Sequence, residues 1–294
     1  MSISEAYLRI VEMSVSAYLR RSWQAIKIED KSDAASHSAV VLSDDTFAVF
    51  VKLGTGTQAA DRFYQELAGL NLLRSRGSLQ TPDGIAVVET DAETVLIMAA
   101  VREIERNAAH YHQMGQALAQ LHRIKSDHFG LETHCYWGDL YQDNTPTDDW
   151  PNFFWERRLA PRLKAAVDSG NLPDEFVAQV EQIGTRLPEL CGPAVVPALL
   201  HGDAHKKNCL ATPHGPVFID PSVYYGHPEM DLAYVDFFEP VPDEVFAGYA
   251  EVTPLDPGFA ERRDLWRLPA LLAMVEFVGA VYLDKLDAAV RHYR

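Results

Sequence analysis

The stretch LLHGDAHKKNCL, residues 199–210, sets an acid, an amide, two lysines and two histidines between apolar runs. Polar groups next to a core must find partners, because taking them out of water unpaired is costly. Asp203 follows a His-Gly pair, and Asn208 follows five residues later. Each residue has a plain structural reading: Asp203 as a turn cap, Asn208 bonded to its own loop backbone. The stretch downstream bears on that choice.

Residues 208–220 read NCLATPHGPVFID. Two apolar runs, CLA and VFI, flank TPHGP, which carries turn residues, so the segment is expected to be a β-hairpin. Centred on His214, such a hairpin pairs position 208 with position 220. Directly opposed side chains have Cβ atoms roughly 5 Å apart. Asn208 and Asp220 would then offer oxygens to one point, which suits Mg²⁺, a hard cation held by few protein groups plus phosphates. A loop acid, an asparagine and an acid after a strand, in this order, are the parts of a phosphoryl-transfer site. Asp203 takes the catalytic role, and Asn208 and Asp220 take the metal.

A matching cation is expected upstream. TFAVFVK, residues 46–52, alternates, so Ala48, Phe50 and Lys52 share one face. A lysine on a half-buried strand needs a counter-charge or an anionic ligand. Glu66 offers one: Phe63, Leu70 and Leu73 lie three, four and seven residues from it, on the apolar side of the next helix. A Lys52–Glu66 pair would aim the ammonium at nucleotide phosphates. A snorkelling lysine and a glutamate at a stripe edge is the plainer account.

The chain of 294 residues carries a net charge of −16, which argues against a nucleic-acid or anionic-membrane surface. Apolar residues at 47% allow a sizeable core. Cys135, Cys191 and Cys209 are few and widely spaced, which favours a reducing, cytoplasmic compartment over a disulfide framework. The N-terminal residues read as a surface-packed helix, neither signal peptide nor membrane span. Strands are expected near 24–29, 38–43 and 47–53, a helix ending at Gly77, and two further strands with a turn at Asp91–Glu93. Apolar spacing at Tyr111, Met114, Leu118 and Leu121 marks a helix, and residues 150–190 and 258–294 read mainly as helices. The fold class is α+β: a small antiparallel-sheet lobe with one main helix over 1–100, then a larger helical lobe over 101–294. His110, His112 and His122 fall on one predicted helix, as a metal cluster or as separate surface and core histidines.

These residues resemble the fructosamine kinase family, in the aminoglycoside- and choline-kinase-like branch of the protein-kinase fold. The likeness spans most of the chain: the FVK strand, the Glu66-x-x-Gly69-Leu70 helix, ALAQLH, HFGL, and the Trp150 to Leu159 run. FIDPSVYYGHPEMDLA and YAEVTPLDPGF are its distinctive blocks. The resemblance implies a two-lobed kinase using ATP and Mg²⁺. Its acceptor would be the sugar hydroxyl of a small-molecule or protein-bound ketosamine, of fructosamine or ribulosamine type, and phosphorylation would lead to deglycation. Asp203 would be the catalytic aspartate, Asn208 and Asp220 the metal ligands, and Lys52 the phosphate contact positioned by Glu66. Backbone near Met98 to Val101 would meet adenine. Asp231 would brace the catalytic loop or cap a helix.

Two departures from the family pattern stand out. HGDAHKKN replaces H-G-D-L-W-x-G-N, so His205 stands where the family has tryptophan, and Lys206–Lys207 replace small residues. The lysines either meet a phosphate or are solvated. The phosphate-covering loop, EDKSDAASHSAVV, lacks glycine; Ser32, Ser36 and Ser38 can donate hydroxyl bonds there or act as turn residues. Trp137 and Asp139, in CYWGDLYQDN, line a substrate mouth or pack the large lobe. The altered loop keeps a kinase for another amino alcohol or an aminoglycoside in view, and the glycine-free loop a nucleotide-binding module without activity.

Overall fold

In the computed structural model, which describes residues 3–31 and 38–293, the alternation of TFAVFVK becomes a strand whose two faces serve different helices. The chain runs α1 (Glu5–Leu19), β1 (Lys27–Asp30), β2 (Ser38–Ser43), β3 (Ala48–Gly54), α2 (Ala59–Ser75), β4 (Gly84–Glu89) and β5 (Thr94–Ala99). The five strands form one antiparallel sheet in the order β1-β2-β3-β5-β4. On one face Val49, Val51, Val95 and Ile97 close a core with Val11 and Val15 of α1 and with Trp23. On the other, Leu96 and Met98 meet Phe63 and Leu70 of α2, with Phe50 packed against them. Each fully buried aliphatic or aromatic side chain contributes about 1.5–3 kcal/mol. Lys52, two residues from Phe50 and opposite Leu96, is thereby carried to the α2 face.

The first strand starts later than the residue 24 expected. The backbone N–H groups of Trp23 and Ala25 donate to Ser16 Oγ at 2.9 Å and Glu12 Oε1 at 3.1 Å. That segment is tied to α1 before sheet pairing begins. The Asp91–Glu93 turn lies between β4 and β5 as expected. Ser32 and Ser36, and with them residues 32–37 of the glycine-free loop, lie outside the described residues; Ser38 opens β2 opposite Leu53.

From α3 (Ala108–Leu121) onward the chain is mainly helical. Two short strands, β6 (Cys135–Trp137) and β7 (Leu140–Gln142), precede α4 (Trp150–Phe154), α5 (Ala160–Asp168) and α6 (Asp174–Leu190). A π-helical turn, Trp155–Leu159, joins α4 to α5. Then come β8 (Ala198–Leu200), β9 (Cys209–Thr212), β10 (Gly215–Phe218), β11 (Tyr224–Gly226), α7 (Glu229–Tyr234), α8 (Glu244–Val252), α9 (Phe259–Val278) and α10 (Leu283–Arg291).

Contacts divide the chain into two units. One comprises Met1–Glu105, Gly138–Leu140 and Leu210–Asp220; the other comprises Arg106–Trp137, Tyr141–Cys209 and Pro221–Arg294. The β9–β10 hairpin therefore counts with the first sheet. Its anchors are backbone bonds from Ile104 to Ala211 at 2.9 Å and from Phe218 to Gln80 at 2.8 Å. In the second unit α3 and α8 touch backbone to backbone: a Cβ on Gly115 would lie 1.9 Å from the Val245 carbonyl oxygen. Only glycine permits that approach, and it brings Tyr249 of α8 beside His122 at the end of α3.

Candidate active site

Within the first unit, three of the residues singled out in the sequence meet. Lys52 Nζ donates to Glu66 Oε1 at 2.8 Å and also contacts the Asp220 carboxylate. The Lys52 and Glu66 side chains are 5% and 13% exposed, and Asp220 is 32% exposed. One ammonium thus faces two carboxylates. Burial works against the Lys52 charge, but Asp220 and Glu66 outweigh it and hold its pKa above the ordinary lysine value. Burial pushes the Glu66 carboxyl up to about 7; Lys52 opposes that shift and Asp220 adds to it. A single lysine does not neutralise both acids, so the deeper one retains its proton more readily.

Asp220 has a φ of 51°, a left-handed conformation that aspartate tolerates better than most residues. It follows β10, whose terminal residue Phe218 is fully buried. The hairpin is not centred on His214. Its strands end at Thr212 and begin again at Gly215, so Pro213 and His214 share the turn, and Asn208 and Asp220 both lie outside the paired strands. The geometric pairing of positions 208 and 220 drawn from the sequence therefore does not hold. Threonine explains the shift: Thr212 Oγ1 donates to the Gly215 carbonyl at 2.8 Å and accepts from His214 N–H at 3.1 Å, closing the turn one residue early.

Met98 and Val101 also belong to the first unit. The Met98 side chain is 3% exposed and packs in the α2-side core. The N–H groups of Ala99 and Ala100 donate to Asp83 and Ala48 carbonyls at 2.8 and 2.9 Å. Adenine would have to be met by the remaining backbone groups of the segment.

In the second unit the loop after β8 carries Asp203. β11 pairs with β8, setting Tyr224 opposite Leu200, so the VYYG block holds the strand that delivers the loop. Gly202 has a φ of +81°, and a Cβ there would lie 1.9 Å from the Ser222 carbonyl oxygen. Both facts demand glycine. Asp231, in α7 and fully buried, accepts the backbone N–H of His201 on Oδ2 and of Gly202 on Oδ1, each at 2.8 Å. His122 Nε2 lies 3.1 Å from the same Oδ2, and its Nδ1 lies 2.8 Å from the Tyr249 hydroxyl. Of the two readings, brace or cap, the contacts of Asp231 are those of a brace.

Asn208 ends a 3₁₀ turn, Lys206–Asn208. Its Nδ2 donates to the Asp203 backbone carbonyl at 3.0 Å and to Asp203 Oδ2 at 2.8 Å. With the amide nitrogen so used, its carbonyl oxygen is left for a cation. His205 Nε2 stands 3.6 Å from Asp203 Oδ2, and its ring packs edge-on to Phe238 at 5.0 Å. Lys206 and Lys207 both reach Glu239, at 2.7 and 3.0 Å, and hold its carboxyl down at about 2 through hydrogen bonds. That surface pairing is what the two replacement lysines do here. Trp137 lines a cavity beside Gly202, and Asp139, in the first unit, contacts Arg62.

Several residues were not legible beforehand. Arg106 donates to the Lys206 carbonyl at 2.8 Å and to that of Cys209, holding the loop from outside. Tyr249 enters through contacts far apart in sequence. The three helix histidines separate into different tasks: His110 forms a capping box with Asn107, His112 meets Glu251 at 2.9 Å, and His122 serves Asp231. Among the described residues no group of three or more His, Cys, Asp or Glu side chains is placed to hold a metal alone. A magnesium ion bound with a nucleotide needs only one or two protein ligands, and an asparagine oxygen and a carboxylate are each chemically fitting donors.

Fold and loop together define a phosphotransferase of the protein-kinase-like class. The apo crystal structure of a thermostable mutant of aminoglycoside phosphotransferase APH(4)-Ia shares this fold, with a TM-score of 0.65 at 16% identity over 96% of this chain and 98% of that one. The fructosamine kinase family pattern matches residues 11–293, and the chain belongs to that family of kinases. It is 31% identical over 277 residues to "Probable ketoamine kinase slr1563" of Synechocystis sp., covering 91% of each chain. The crystal structure of "Putative fructosamine-3-kinase" from Thermobifida fusca YX-ER1 gives a TM-score of 0.84 at 30% identity, over 96% of this chain and 97% of that one.

Proposed function

We propose that this protein is an ATP-dependent kinase that phosphorylates a sugar hydroxyl of a ketosamine, the adduct of a sugar with an amine, and so starts its breakdown to free amine. The single observation that carries the reading is the Asp203 carboxylate, held by the Asn208 amide at 2.8 Å on a loop braced by Asp231. Asp203 orients the acceptor hydroxyl and takes its proton as the oxygen attacks the γ-phosphorus. The bond from that phosphorus to the bridging oxygen breaks, and ADP leaves with the electron pair. Lys52, oriented by Glu66, contacts phosphate oxygens. Asn208 and Asp220 would hold Mg²⁺, for which Asp220 must yield its lysine contact to phosphate. Bound there, the ion would neutralise charge on the phosphates. The acceptor is positioned against Asp203, and most of the rate enhancement is positioning and charge stabilisation. All three cysteines are buried and unbonded, which supports a cytoplasmic setting.

An acceptor panel read by ADP release tests this. Fructosyl- and ribulosyl-amines should stimulate release, and aminoglycosides and simple amino alcohols should not. Silence with every ketosamine, alongside turnover of another alcohol, would overturn the reading.

A further inference from the structure

The second unit holds a small cavity, with about 20 Å³ accessible to the centre of a water molecule, lined by Gly202, Trp137, Tyr234, Arg158 and Arg162 among others. Gly202 directly precedes Asp203, and the Asp203 charge is one of the causes, after burial and Tyr224, that raise the Tyr234 hydroxyl pKa. The cavity therefore adjoins the loop that carries the acid.

Two of its lining residues carry a donor that lacks an acceptor. Trp137 Nε1 and Arg158 Nε are buried without a hydrogen-bond partner among the described residues. Buried donors are normally satisfied, and an exception calls for a cause. Arg158 is 4% exposed, and its guanidinium donates to the Asp143 and Arg157 carbonyls at 2.8 and 3.0 Å and to Asn144 Oδ1 at 2.5 Å. It also lies over the ring faces of Phe153 and Tyr224, at 4.7 and 4.1 Å, bonds the Tyr224 hydroxyl and feels the Asp143 charge. Arg162, 13% exposed, donates to the Tyr141 carbonyl at 2.7 Å and has one carboxylate, Glu276, at 3.9 Å. The two guanidinium groups repel each other, and burial with that repulsion lowers the Arg162 pKa despite Glu276 and Tyr234. The π-helical turn that carries Arg158 is of a kind frequent at functional sites.

We propose that this cavity receives a carboxylate of the acceptor, held by Arg162 with Arg158, Trp137 and Tyr234 around it. A carboxylate supplies acceptor oxygens and one negative charge, and arginine binds it in a two-pronged geometry. Resting on the ketosamine reading above, the inference narrows the substrate class to ketosamines of free amino acids, in which the amine half brings a carboxylate close to the sugar. An adduct on a lysine side chain within a protein brings none.

The test compares N-fructosyl-glycine with N-fructosyl-glycinamide, which differ only in that charge, by kcat/KM from ADP release. The acid should be preferred by about tenfold or more, as a charged hydrogen bond is worth that much. In Arg162→Gln the acid-to-amide ratio should collapse toward one, and Arg162→Lys should restore part of it. Equal turnover of acid and amide by the unmodified enzyme overturns the carboxylate site and leaves the ketosamine reading standing. A ratio that survives Arg162→Gln also overturns the site. No turnover of either compound, with ribulosyl-amines silent too and another alcohol phosphorylated, overturns both readings together.

Discussion

Asn208 donates its side-chain amide to the Asp203 carboxylate at 2.8 Å and to the Asp203 carbonyl at 3.0 Å. The contact fixes the acid's rotamer and leaves the asparagine oxygen turned elsewhere. A short loop between β8 and β9 thus becomes a rigid fixture, with Asp231 behind it and Arg106 across it.

Asp203→Ala should lower kcat by about 10²–10⁴-fold, the usual worth of a positioned proton acceptor. Nucleotide binding, which the proposed function assigns to Lys52, should be retained. Steady-state ADP release and calorimetry with ATP and Mg²⁺ check the two halves. Undiminished turnover would remove Asp203 from its role.

The Glu66 carboxyl, with a folded-state pKa of about 7 above its unfolded value, makes stability depend on pH. A carboxyl raised on folding binds its proton more tightly in the native state. Its contribution is therefore fully present below about pH 4.5 and is lost as pH rises through about 7. Glu66→Gln keeps the shape and removes the titration. The difference in Tm, variant minus wild type, should rise between pH 5 and pH 8. A pH-independent difference would show that Glu66 does not titrate in that range.

Asp231→Ala strips partners from the His201 and Gly202 N–H groups in a fully buried setting. Each unsatisfied group costs about 1–3 kcal/mol, so the loss should reach several kcal/mol. Urea denaturation would measure it. Activity should fall too, because the loop that holds Asp203 is released. A variant of wild-type stability would show that the loop holds its shape without the brace.

Alternation in TFAVFVK and the three-four-seven spacing around Glu66 gave each partner of the Lys52–Glu66 pair its face, because strand and helix periods are local properties. The hairpin at 209–218 was legible as an element but not in its centre. Its turn is closed by the Thr212 hydroxyl, whose bonds to Gly215 and His214 were not anticipated from turn composition alone. Lys206 and Lys207 offered two readings, and Glu239 decides their surface pairing from 32 and 33 residues away. Arg158 stood in the Trp150 to Leu159 run and Arg162 just beyond it, with no task legible for either. The cavity they line marks them out.

By itself the sequence determined the α+β class, the order of the chemical groups and the family, since these rest on periodicity and on motifs read along one line. Tertiary structure decided which distant groups meet: Tyr249 with His122, 127 residues apart, His122 with Asp231, 109 apart, and Asp220 with Lys52, 168 apart. The physical reason is burial. A charge or donor removed from water must be satisfied by whatever the fold brings within about 3 Å, and that neighbour is chosen by packing across the chain rather than by proximity along it.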